Sequence, residues 1–185
     1  MQQKKNKKAS LFDAQQMERV IRRMAGEILE HNGGAEDLLL VGIRTRGVPL
    51  AERLAAAVEK AEGRAVAQGV LDITLYRDDL STIAPQPVVR ESHLPEIEGK
   101  TVVLCDDVLF TGRTVRAALD ALLDYGRPRA VRLAVLVDRG HRELPIQADY
   151  VGATLETAAR DLVEVAFPGT DGREEVVLVS GGSSR

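Results

Sequence analysis

Asp106 and Asp107 close an apolar run, Thr101-Val102-Val103-Leu104-Cys105, and lead through Val108-Leu109-Phe110 into Thr111-Gly112-Arg113-Thr114. Two adjacent carboxylates at the carboxyl end of a strand are acceptors suited to the vicinal hydroxyls of a ribose. In the stretch after them, Gly112 lets backbone approach a ligand closely. A helix beginning there offers free N–H groups and a positive dipole end to a phosphate, and Thr111 and Thr114 add hydroxyl donors. A sugar phosphate with Mg²⁺ nearby to balance charge satisfies both halves. The competing reading is a Thr-capped helix after two acidic loop residues, and Thr-Gly-x-Thr alone does not separate the two. The segment is not a Walker A loop, because no Gly-Lys-Ser/Thr is present, nor a Gly-x-Gly-x-x-Gly dinucleotide turn.

These residues need a scaffold, and the periodicity describes one. Asp13 and Gln16 form a capping box with Phe12 as a staple, and Met17, Val20, Ile21, Met24 and Ile28 follow at helical spacing until Asn32-Gly33-Gly34. Leu38 to Ile43 reads as a buried strand. Gly47-Val48-Pro49 opens a helix whose inner face is Ala51, Leu54, Ala55 and Val58. Residues 65–75 read as a strand, 76–99 as a long irregular segment, and 101–105 as the clearest strand. A helix carrying Val115, Ala118, Leu119 and Leu122 follows, then a strand from Ala130 to Val137. Residues 162–167 and 175–179 flank Pro168-Gly169-Thr170-Asp171-Gly172 as a hairpin. The alternation predicts an α/β fold: a mostly parallel central sheet flanked by helices, with ligands at the carboxyl ends of its strands.

The 185 residues, 44% hydrophobic and 29% charged, suit one domain over about 11–180 between a basic tail at 1–10 and a short tail at 181–185. No apolar run reaches membrane-spanning length, and the basic start is not followed by the apolar segment of a secretory signal. The lone Cys105 excludes an internal disulfide framework and a multi-cysteine metal site, and it reads as a small buried residue rather than a nucleophile. His31, His93 and His141 lack metal-ligand spacing. These features together point to the cytoplasm. A net charge of −3 and only 3% aromatics argue against generic nucleic-acid binding or a base-stacking platform.

The run Val102 to Thr114 resembles the 5-phosphoribosyl-1-pyrophosphate (PRPP) motif of type I phosphoribosyltransferases. The resemblance extends through Val41 to Gly47, Leu71 to Leu80 and Leu136 to Pro145. Over most of residues 11–165 the chain resembles the PyrR family of bifunctional pyrimidine-operon attenuators and uracil phosphoribosyltransferases. That resemblance implies a type I phosphoribosyltransferase fold with a small hood and a mobile flap, Tyr76 to Arg90 within about 76–92, and conversion of uracil and PRPP to UMP and diphosphate. It places Asp106 and Asp107 on the ribose hydroxyls, and Thr111, Gly112, Arg113 and Thr114, with Val108, Leu109 and Phe110 before them, around the 5′-phosphate. Thr45 and Arg46 fall in the pyrophosphate loop, which in this fold often carries a non-proline cis peptide. Arg77 and Arg90 become diphosphate partners. Val137, Asp138 and Arg139 lie where the nucleobase sits, and Val163 matches a base-contact position. Mg²⁺ would be held mainly by PRPP, with no direct protein ligand set. Without the resemblance, Arg44 and Arg46 read as surface salt bridges, Val163 as a core valine, and Asp78 and Asp79 as turn caps.

The same resemblance implies UMP-dependent binding of a pyrimidine-operon messenger leader, on a groove of a homodimer or higher homo-oligomer. Its matching positions are Arg19, Arg22, Arg23, His31, His141 and Arg142. Arg19, Arg22 and Arg23 share one helix face, which is equally the pattern of a solvated face. Gly26, Gln147 and Ala153 stand where Bacillus-type members carry histidine, arginine and lysine, which removes phosphate contacts. Two alternatives follow: an RNA-binding regulator with negligible catalysis, and a phosphoribosyltransferase for another base without RNA regulation.

Overall fold

The computed structural model describes residues 8–78 and 90–181. The capping box forms as its residue types predict. The Asp13 carboxylate accepts the Gln16 N–H at 2.8 Å and Gln16 Oε1 accepts the Asp13 N–H at 2.9 Å. Helix α1 (Ala14–Asn32) then runs to Gly33, whose φ of 68° is the left-handed cap that glycine adopts without strain. Its buried stripe is Met17, Ile21, Met24, Ala25, Ile28 and Leu29. Strand β2 (Leu38–Ile43) is buried throughout, and α2 (Gly47–Glu62) follows, with Leu50, Ala51, Leu54, Ala55 and Val58 inward.

Strand β3 (Ala67–Leu71) is shorter than the expected 65–75, because Thr74–Tyr76 turn into one 3-10 helical turn. Strand β4 (Thr101–Leu109) extends past the predicted end at Cys105 and carries both aspartates within the strand rather than in a loop. Then come α3 (Arg113–Leu123), β5 (Ala130–Asp138) and β6 (Tyr150–Thr154). Strand β6, for which the sequence offers no apolar run, is a short edge strand with Gly152 at its centre. Strand β7 (Leu162–Ala166), the short helix α4 (Pro168–Asp171) and β8 (Glu175–Val179) complete the chain.

The main sheet has the order β3-β2-β4-β5-β6, all parallel. Alternate residues of its strands face opposite sides. Leu38, Leu40, Val103, Cys105, Ala134 and Leu136 join one core cluster with α1 and α2. Leu39, Val41, Ile43, Val102, Leu104, Leu133 and Val135 join another with α3. A second sheet, β1-β8-β7, is antiparallel, and its Val165, Val176 and neighbouring Phe167 belong to the α1/α2 cluster. Strand β1 (Lys8–Asp13) takes in residues 8–10, the end of the expected tail, which remain exposed but are paired, Lys8 with Val179 and Ser10 with Val177. Residues 79–89 of the expected flap lie outside the described residues. Among those described, no helix is long and apolar enough to cross a membrane.

Candidate active site

Strand β4 places the two carboxylates. Asp106, 8% exposed, sits in register with Val135 of β5. Its Oδ1 accepts the Asp107 N–H at 3.0 Å, and Asp107 Oδ1 accepts the Val108 N–H at 2.9 Å. Burial pushes both carboxyls above the usual aspartate range, and for Asp106 the neighbouring Asp107 charge adds to it. The Arg77 charge partly offsets this at Asp106, and Arg46 does so at Asp107. A buried carboxylate beside a half-buried one, each with few donors of its own, forms an acceptor pair suited to a ligand's hydroxyls. Cys105, fully buried just before them, has its thiol pushed up by the same burial, so it stays a thiol.

Gly112 initiates α3 at φ 91°, and a Cβ there would lie 3.3 Å from Ile146 Cβ. The segment above it is pinned by the Glu143 and Leu144 N–H groups, which donate to the Thr111 carbonyl at 3.0 and 3.3 Å. Gly112 has no side chain to cap the helix, and Thr111 Oγ1 accepts the Arg113 N–H at 3.3 Å. The amides that follow are placed for an anion by the helix itself. The Arg113 guanidinium turns aside, donating to Glu143 and to Asp78 at 2.6 Å each. At the start of α3 it is therefore the backbone of Arg113, not its guanidinium, that faces the turn. Asp78 is an ion-pair partner here, and Asp79 lies outside the described residues.

Helix α2 starts beside the aspartates because Gly47 has no side chain. A Cβ there would collide with the Cys105 carbonyl and lie 3.3 Å from Asp106 Cα. The peptide before this turn, Arg44–Thr45, is cis. Arg46 is not free: Nη1 donates to the Val165 carbonyl at 2.6 Å and to Asp171 Oδ2 at 2.7 Å, and Nη2 donates to Asp171 Oδ1 at 3.0 Å. Thr45, exposed, lines a cavity of about 420 Å³ with Arg44, Phe167 and Pro168 to Thr170. Arg46, Asp107, Val163 and Asp171 line another of about 370 Å³. The structure thus gathers Asp107, Arg46 and Val163 around one opening. Asp171 joins them there, although sequence reasoning took it only for turn chemistry.

Arg139 is 4% exposed, lies 4.0 Å from the Phe110 ring centroid, and donates to Thr157 Oγ1 and to the Ala158 and Ala159 carbonyls at 3.0–3.3 Å. Its guanidinium supports Phe110 and the 157–159 turn from behind. Thr157 was not singled out from the sequence, and its only signal was a polar residue before a loop. Arg90 is exposed, and its backbone N–H donates to Asp72, which also accepts the Thr74 N–H. Asp72 thereby ties the two ends of the expected flap.

The six positions matched to an RNA face do not stay together as free donors. Arg19 and Arg22 are exposed on α1, Arg22 beside Glu18 at 3.5 Å. Arg23 instead donates to the Val151 and Gly152 carbonyls of β6 at 3.1 and 2.6 Å and pairs with Glu27. His31 stacks against Tyr150 at 5.5 Å. His141 meets the Thr157 carbonyl through Nε2, and Arg142 is held by Asp138, the Phe110 carbonyl and the Ile146 carbonyl. Reversing Arg23 to Glu is expected to lower stability by about 0.5–1.5 kcal/mol, because two half-exposed β6 carbonyls lose their donor and the pair with Glu27 becomes a like-charge contact. Reversing Arg19 and Arg22 together is expected to leave the melting temperature within about a degree. Thermal denaturation of the two variants checks this.

The profile of the phosphoribosyl transferase domain matches residues 8–167. The chain is 58% identical over 173 residues to the bifunctional protein PyrR of Pelotomaculum thermopropionicum, covering 93% of this chain and 96% of that protein. It is 56% identical over 172 residues to the one from Deinococcus radiodurans, covering 92% and 94%. Among solved structures it resembles the hypoxanthine phosphoribosyltransferase of Trypanosoma cruzi in complex with the product IMP, with a TM-score of 0.71 at 18% identity, covering 97% of each chain. A hypoxanthine-guanine phosphoribosyltransferase from Bacillus anthracis gives 0.68 at 16% identity, covering 95% and 98%. The structural likeness at such identities is one of fold. With the aspartate pair at the end of β4, the glycine-started α3 and the high identity over nearly the whole length, the chain belongs to the phosphoribosyl transferase domain family and, within it, to the bifunctional PyrR proteins.

Proposed function

We propose that this protein is a cytoplasmic uracil phosphoribosyltransferase that makes UMP and diphosphate from uracil and PRPP, and that a homodimer or higher homo-oligomer carrying UMP binds a pyrimidine-operon messenger leader. The observation that carries the enzymatic half is Asp107 at the same opening as Arg46, with buried Asp106 next to it on β4 and the start of α2 packed against that strand. The aspartates accept the ribose hydroxyls. The first turn of α3, entered through Gly112, holds the 5′-phosphate on backbone N–H groups. The start of α2, with Thr45 and Arg46, receives the diphosphate as it departs, and Val163 and the Phe110–Arg139 stack border the base. The sugar carbon becomes cationic as the bond to diphosphate stretches. Positioning and charge stabilisation are therefore the main work of the site.

Among the described residues no group of three or more His, Cys, Asp or Glu could hold a metal. Two carboxylates fit a Mg²⁺ that takes most of its oxygens from substrate and water, and Asp106 and Asp107 are the residues that would adjoin it. When bound, the ion offsets the charge of the leaving diphosphate.

The RNA half rests on Arg19, Arg22, Arg23, His31, His141 and Arg142, of which all but Arg142 are exposed, while Arg23, His141 and Arg142 also bond within the fold. Two measurements test the function. Turnover with PRPP is compared for uracil, hypoxanthine and orotate, with uracil expected to lead. A different leading base, or no turnover, overturns the enzymatic reading. Filter binding of a pyrimidine-operon leader stem-loop is measured with and without UMP at two salt concentrations. UMP-dependent, salt-sensitive binding is expected, and binding no tighter than to a scrambled RNA overturns the regulatory reading.

A further inference from the structure

We propose that Asp171 is a built-in stand-in for the diphosphate: its carboxylate occupies the fork of Arg46 in the free protein and is displaced when the diphosphate of PRPP binds. This rests on the proposed role of Arg46 in holding that diphosphate. A guanidinium presents its Nη donors in a fixed planar fork that matches a carboxylate or a phosphate edge equally well. Asp171 fills the fork with one bond from each Nη, at 2.7 and 3.0 Å. A diphosphate that approaches through the edge formed by Nη1 and Nη2 needs the donors that Asp171 now holds, so on that edge the two anions compete.

The surroundings support exchange rather than a permanent bridge. Arg46 has a second anchor, the Val165 carbonyl at 2.6 Å, and it stays at the site when Asp171 leaves. Asp171 has another partner too, the Phe167 N–H at 2.9 Å, so its own turn does not depend on Arg46 alone. Arg173 stands next along, close enough for its charge to favour the Asp171 carboxylate. The Arg46 side chain is 41% exposed, so an anion reaches it from solvent. The ion pair also lies on a boundary. Arg44, Thr45 and Phe167 to Thr170 line the 420 Å³ cavity, whereas the next residues along each segment, Arg46 and Asp171, line the 370 Å³ one. Opening the pair joins the space beside Thr45 to the space beside Asp107.

The consequence is selectivity. An anion must outbid an intramolecular carboxylate, which favours the multiply charged diphosphate over singly bound small anions. The test uses Asp171→Asn, because the amide oxygen keeps the Phe167 N–H while the charge is lost. Calorimetric titration of inorganic diphosphate with Mg²⁺ is expected to give about three- to tenfold tighter binding for Asp171→Asn than for the wild type. Inorganic phosphate is expected to become a measurable inhibitor of the variant. Arg46→Ala is expected to weaken diphosphate binding, and adding Asp171→Asn to it is expected to change nothing further. Unchanged or weaker binding by Asp171→Asn, with Arg46→Ala weakened, overturns the proposal and leaves the role of Arg46 standing. Unchanged binding by Arg46→Ala overturns that role and the proposal with it. A second measurement needs no variant. The side-chain carboxyl carbon resonance of Asp171 in the wild type is expected to shift when diphosphate is added, and an unchanged resonance overturns the exchange.

Discussion

Replacing Asp106 and Asp107 together by Asn is expected to lower kcat/KM for PRPP by about a thousandfold while leaving a folded protein that melts at a higher temperature than wild type at pH 7. The activity term follows from charge. Asn keeps an acceptor oxygen for the Asp107 and Val108 N–H groups, but it places no anion beside a sugar carbon that becomes cationic. The stability term has the opposite sign because both carboxyls sit above the ordinary aspartate range in the folded chain, first through burial. Between the unfolded value and the raised folded value, the native state binds more protons than the unfolded state, so wild-type stability falls as pH rises through that window. Above it the burial penalty is fully present, and the Asn pair removes it. The gap in melting temperature is therefore expected to shrink as pH is lowered toward the ordinary aspartate value. Near-wild-type turnover in a folded double variant would contradict the assigned role. A lower melting temperature at pH 7 would contradict the electrostatic account.

Gly47→Ala is expected to lower stability by about 1–3 kcal/mol, a fall in melting temperature of about 3–10 °C for a chain of this size, and to cut turnover about a hundredfold. The added methyl collides with the Cys105 carbonyl and crowds Asp106 Cα. These are backbone atoms of a central strand paired on both sides with β2 and β5, so they cannot yield cheaply. The alternative, a shift of α2, moves Thr45 and Arg46 away from the aspartates. Gly26→Ala is the matched comparison. It sits on the exposed side of α1 with nothing within 4 Å of its added Cβ, and it is expected to stabilise by about 0.5–1 kcal/mol. Melting curves and turnover for both variants decide the matter. An unperturbed Gly47→Ala would mean that close approach is not what positions α2.

Much of this protein is local and could be read directly from the chain. The start of α1 is set by Asp13 and Gln16, three residues apart, and its end by a glycine in left-handed backbone, so both boundaries lie within a turn of their causes. The centre of each core face of α1, α2 and α3 follows from apolar spacing, while packing widens it to Ala25, Leu29, Leu50, Ala117 and Ala121 and leaves Val20 and Leu119 half-buried. The motif from Val102 to Thr114 carries its groups in contiguous residues, which is why the two aspartates and the glycine-started turn into α3 were legible together. What depended on partners far along the chain was not. Strand β4 continues through Asp106 to Leu109 only because β5 supplies Val135, Val137 and Asp138 as register partners, after the apolar pattern has stopped. Lys8 to Ser10 form a strand only because β8 offers a free edge, and nothing in a lysine-rich start announces that. Arg23 shares a helix face with Arg19 and Arg22, yet the edge carbonyls of β6 claim it for the fold. Asp171, in a turn of ordinary composition, meets Arg46 across 125 residues of chain. The sequence by itself determined which groups could do chemistry, because type and spacing are local properties. The tertiary structure alone decided which of those groups are already engaged, because engagement depends on what the sheet order brings alongside.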